Sequence, residues 1–148
     1  MRFAFDTNIL AYAEGVNGAK KKAAAVALVP RVPVDLGCIP VQALGELFSV
    51  LVRKAGRSPE AARNAVLSWH DAFSLVPTSS GVMIKAADLV ADHQFGIWDA
   101  VILAAASEAG CRLLVSEDMQ DGVTWGGVTI VNPFAPEPHK LLRSLLSR

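Results

Sequence analysis

Short, fully apolar runs alternate along this chain with longer stretches whose apolar residues recur every three or four positions. Residues 2–5 read as a strand and residues 7–14 as a short helix. Between the two lies Asp6-Thr7-Asn8, a polar triplet separating two segments that both need burial. Residues 19–29 are Ala-rich and helical up to Pro30, and residues 36–39 form a second strand-like run. Pro40 suits the start of the next helix, residues 41–54, where Val41, Leu44, Phe48 and Leu51 share one face at helical spacing. Ser58 caps a helix over residues 60–73. A strand at 73–76 and a helix at 81–93 follow.

Residues 98–110, WDAVILAAASEAG, are apolar nearly all round, so this helix is expected to be buried and stopped by Gly110. CRLLVS reads as a buried strand, GVTIVNP as the last strand, and the prolines at 133, 136 and 138 as a connector into a short C-terminal helix. Strands separated by helices call for a parallel sheet covered on both faces. The expectation is an α/β fold, one three-layer α/β/α domain over residues 1–148.

Composition agrees with a packed chain. Of 148 residues 52% are hydrophobic and 19% charged, far from the balance of a disordered segment. No apolar run reaches the roughly 20 residues of a membrane span, and the first residues lack the pattern of a signal peptide. Cys38 and Cys111 both lie in apolar runs and read as buried free thiols, which points to the cytoplasm. Fourteen acidic residues balance fourteen basic ones, so nothing global marks a nucleic-acid binder. Local basic runs exist at Lys20-Lys21-Lys22, at Arg53, Lys54 and Arg57, and from Lys140 to Arg148, and each reads more readily as a solvated face.

Chemistry is expected at the carboxyl ends of parallel strands. Asp6 and Asp118 fall there. Asp6 also reads as a helix cap, and Asp118 as a plain loop carboxylate beside the Asp121-Gly122 turn signal. Asp99 is harder to place blandly, because it adjoins Ile97 and Trp98 on one side and AVILAAA on the other; a lone buried carboxylate is costly, although a helix N-terminus also favours Asp as a cap. Glu46 lies on a polar stripe with Gln42, Ser49 and Arg53. Together, four uncompensated carboxylates would raise one another's pKa values unless a hard cation joined them. The three histidines and two cysteines show no zinc spacing, and no GxSxG, GxxxxGK[ST] or GxGxxG motif is present.

Four stretches in order, FAFDTNIL, LGELFSVL, IWDAVILAAASEAGC and LLVSEDMQDG, resemble the PIN domain family, and within it the VapC-like toxins of bacterial toxin–antitoxin pairs. The resemblance runs from residue 3 to about residue 133. It implies a metal-dependent endoribonuclease that hydrolyses RNA phosphodiester bonds. Asp6, Glu46, Asp99 and Asp118 would be the catalytic carboxylates holding Mg²⁺ or Mn²⁺. Asn8 and Ser116 would orient carboxylates or water, and Asp121 would be a further acidic contributor. It also implies a homodimer and a small cognate antitoxin partner. Gly45, directly before Glu46, departs from an ideal helix at a cost of about 1 kcal/mol relative to Ala. The alternatives are a non-catalytic PIN-fold module that binds RNA or protein, and a metal-dependent DNA nuclease.

Overall fold

The structure is a computed structural model and describes residues 1–147. Six strands form one sheet in the order β3-β2-β1-β4-β6-β5. They are β1 (Phe3–Phe5), β2 (Gly37–Pro40), β3 (Ser74–Val76), β4 (Leu113–Val115), β5 (Thr124–Trp125) and β6 (Val128–Val131). All neighbours pair in parallel except β5 and β6. β1, β2, β4 and β6 are buried at every residue, as expected of a parallel sheet with helices on both faces.

Among the described residues, seven α-helices surround it: α1 (Thr7–Ala13), α2 (Ala19–Leu28), α3 (Val41–Arg53), α4 (Pro59–Ala72), α5 (Ser80–Asp92), α6 (Ile97–Glu108) and α7 (Lys140–Leu146). Local chemistry explains their ends. Asp6 caps α1, and the hydroxyls of Ser58 and Ser79 accept from Ala61 N and Val82 N to cap α4 and α5. α6 is buried without a break from Ala100 to Ala106, and Gly110, at φ +75°, turns the chain out of it. Cys38 and Cys111 are buried free thiols with sulfurs 3.2 Å apart.

Two expectations needed correction. The buried face of α3 is Ala43, Leu44, Leu47 and Leu51, whereas Val41 and Phe48 are 41% and 37% exposed. The helix carries apolar residues on more than one face, so spacing alone allowed two choices. The sequence pattern shows no strand between CRLLVS and GVTIVNP, yet Gly126-Gly127 is the two-residue turn of the β5–β6 hairpin, with φ +56° and +80°. Positive φ at both turn positions matches the twist of the strands. Among the described residues, no helix is long and apolar enough to cross a membrane.

Candidate active site

The parallel register brings the ends of β1 and β4 side by side, with Phe5 opposite Val115. The next residues, Asp6 and Ser116, therefore meet. Asp6 is 3% exposed and fully engaged. One carboxylate oxygen accepts from Thr7 N at 2.7 Å, and the other accepts from the Ser116 hydroxyl at 2.7 Å and from Asn8 Nδ2 at 3.2 Å. Asn8 in turn accepts from Glu117 N at 3.2 Å, and Ser116 Oγ accepts from Met119 N at 3.2 Å. The triplet after β1 and the loop after β4 are thus tied to each other.

Asp6, Glu46, Asp99 and Asp118 line one cavity of about 500 Å³, joined there by Thr7 and Asn8. Glu46 reaches it from α3, where the Thr7 hydroxyl donates to its carboxylate. Asp99 reaches it from the first turn of α6, a position that favours a negative charge. Asp118 stands exposed on the loop after β4. Burial pushes the Asp6 carboxyl up from 3.8 to about 6; Ser116 and Thr7 oppose this, while Asp99 and Glu46 add to it. Burial also raises Asp99, and Asp118 raises it further. Two acids pushed toward protonation by burial, and further by neighbouring carboxylates, form a site that favours a cation.

The donor set is all oxygen, which suits a hard divalent ion. Among the described residues, no three acidic, histidine or cysteine side chains converge closely enough to ligate one ion as they stand. A hard ion that keeps several of its waters needs only one or two direct carboxylates, so the cavity fits such an ion in its hydrated form.

Asp121 is not part of this group. Its carboxylate accepts from Asn132 N at 2.9 Å and secures the turn leading to the end of β6. Other residues take on roles at the site that the sequence did not assign them. Thr7, the middle letter of the triplet, orients Glu46. Tyr12 donates to Glu117 at 2.6 Å, and Lys21 pairs with the same carboxylate. Lys21 also lies 5.5 Å from the Tyr12 ring centre and 4.8 Å from that of Phe134. Against the effect of burial, the Lys21 and Tyr12 donors hold Glu117 below the usual carboxylate range. Glu117 is therefore clamped by Tyr12 and Lys21, while the adjacent Asp118 lines the acidic cavity.

Residues 3–120 match the profile of the PIN domain family. The chain belongs to that family. No curated protein matches the chain at a significant level. Several solved structures share its PIN fold. Mycobacterium tuberculosis VapC20, described as a sarcin-ricin loop cleaving toxin, is 18% identical, with 78% of this chain and 89% of that one covered at a TM-score of 0.66. A toxin–antitoxin complex from Klebsiella pneumoniae is 21% identical over 88% and 97%, also at 0.66. FitAcB from Neisseria gonorrhoeae is 14% identical over 89% and 98%, at 0.65. At these identities the likeness is one of fold.

Proposed function

We propose that this PIN domain is a Mg²⁺- or Mn²⁺-dependent endoribonuclease, the toxin of a toxin–antitoxin pair. One observation carries the reading: Asp6, Glu46, Asp99 and Asp118, far apart in sequence, line a single open cavity in which two of them are pushed toward protonation. Asp6, Asp99 and Asp118, with Glu46, would hold the ion. When bound, it would neutralise the carboxylates and the scissile phosphate and lower the pKa of a bound water. The chain's own contribution is positional. Ser116, Asn8 and the Thr7 amide fix both oxygens of Asp6, and Thr7 fixes Glu46, so the site is ordered before substrate arrives.

The fold likeness to a sarcin-ricin loop cleaving toxin and to toxin–antitoxin complexes supports RNA as substrate and an antitoxin as partner. A homodimer is supported by large apolar side chains left exposed, namely Val41, Phe48, Ile97 and Trp98, the last 52% exposed. The free thiols of Cys38 and Cys111 suit the reducing cytoplasm. The rival reading, a non-catalytic binding module, draws on the lack of three converging ligands among the described residues.

Incubation with RNA in Mn²⁺ separates the readings. Cleavage should disappear with chelator and fall at least about 100-fold in Asp99→Asn. Undiminished cleavage by Asp99→Asn would refute the assignment, RNA binding without turnover would favour the rival, and preferential cutting of a matched DNA would move the substrate class.

A further inference from the structure

Two of the three basic runs in the sequence meet beside the acidic cavity. That cavity is also lined by Asn17 and by Lys54, the residue capping the end of α3. A second cavity of about 380 Å³ shares Val16, Asn17 and Lys54 with the first and continues over Gly15 and Arg57. The two form one groove, running from the carboxylates past the end of α1. On its α2 side, Lys22 lies against Gly15, its Cδ 3.8 Å from where a Cβ would stand.

Charge changes sign along this groove. The one acid lining the second cavity among the described residues is Glu14, and it is matched. Arg57 donates to its carboxylate at 2.7 Å and to its backbone oxygen at 2.6 Å, and Trp69 Nε1 donates to the carboxylate at 3.0 Å. Lys54 and Lys22 are exposed and make no ion pair among the described residues. The placement of Lys22 is also unfavourable for its own helix. Lys20, Lys21 and Lys22 occupy the first turn of α2, where the macrodipole disfavours positive charge. Lys21 is compensated by Glu117; Lys22 has no such partner. A locally unfavourable residue set against a residue that lines a groove is the pattern of a binding function.

We infer that Lys54 and Lys22 form a phosphate-binding track, which holds the RNA backbone on one side of the acidic cavity and sets the path by which the strand crosses it. This rests on the ribonuclease reading. In a chain with no net charge, affinity for a polyanion has to come from such a local track. The carboxylates then act on one phosphate while the lysines hold its neighbours.

The test uses full-length protein and a short fluorescein-labelled single-stranded RNA. In the wild-type background, Lys54→Ala and Lys22→Ala should each raise KM about two- to fivefold with kcat kept. In an Asp99→Asn background, which allows binding to be read without turnover, each should lower the slope of log affinity against log salt by about 0.7. Lys54→Arg should retain both properties. Lys85→Ala, which removes the ion pair with Glu108, should match its parent. Cleavage by the wild type with KM and salt slope unchanged in both lysine variants would overturn the track alone. A wild type that neither binds nor cleaves RNA would overturn the ribonuclease reading and the track with it.

Discussion

At the scale of the residue, Asp6 has two roles that pull its stability in opposite directions. As a cap it satisfies the start of α1; as a buried acid it carries a pKa of about 6 against an ordinary 3.8. Between these values the folded protein holds a proton that the unfolded chain releases. The stabilisation is complete below pH 3.8 and is lost as pH rises through 6. A difference of that size corresponds to about 3 kcal/mol. Metal-free protein should therefore be less stable in urea melts at pH 7.5 than at pH 5, and Asp6→Asn should flatten that dependence. Identical pH profiles for the two proteins would exclude Asp6 as the source. Adding Mn²⁺ at pH 7.5 should restore stability to the wild type and not to the variant. Of the four acids lining the cavity, Asp6 at a strand end and Asp99 beside an apolar helix had a strong local signal in the sequence; Glu46 on its polar stripe and Asp118 in its loop stood out only through the ordered resemblance. The Thr7–Glu46 and Lys21–Glu117 bonds were not legible. They join residues 39 and 96 positions apart, and periodicity contains no information about such pairs. Asp121 resembled Asp118 in sequence and differs only in what its carboxylate meets.

At the scale of the element, length decided what could be read. The long helices α4, α5 and α6 emerged close to their observed limits, because many periodic positions agree. β5 is two residues long, too short for any alternation to register, and it went unread. Two glycines give opposite tests of this level. Gly45 lies inside α3 with nothing within 4 Å of where a Cβ would be, so Gly45→Ala should stabilise the protein by about 0.5–1 kcal/mol and firm the turn that carries Glu46. Gly37 lies under the aromatic rings of the core. A Cβ there would fall 2.7 Å from Phe3 and 2.8 Å from Phe73, so Gly37→Ala should cost about 1–3 kcal/mol. Thermal melts of the two variants read both signs. A destabilised Gly45→Ala would mean that α3 is not a regular helix at that point.

At the scale of the whole molecule, the matched PIN profile ends at residue 120, yet the core continues to Leu145. α7, capped by His139 accepting from Leu141 N at 3.1 Å, buries Leu142 and Leu145. Its residues Leu142 and Leu146 share a small cavity with Ala24, Ala27 and Leu28 of α2, so the C-terminal helix supports α2 from behind. α2 in turn carries Lys21, which clamps Glu117 beside Asp118. Support and clamp make different demands on energy, and two substitutions separate them. Leu145→Ala removes buried volume and should cost about 2–5 kcal/mol, lowering Tm by several degrees or more, with RNA cleavage kept at temperatures where the protein stays folded. Lys21→Ala breaks a partly exposed pair and should cost less than about 1 kcal/mol. It releases the loop holding Asp118, however, and should lower kcat about tenfold or more, as loss of a supporting contact does at metal sites. Lys21→Arg should recover most of that loss, because a guanidinium can keep both the ion pair and the position over the Tyr12 and Phe134 rings. If Lys21→Ala left kcat intact, Asp118 would be held by its own loop, and α2 would serve the site only through Lys22.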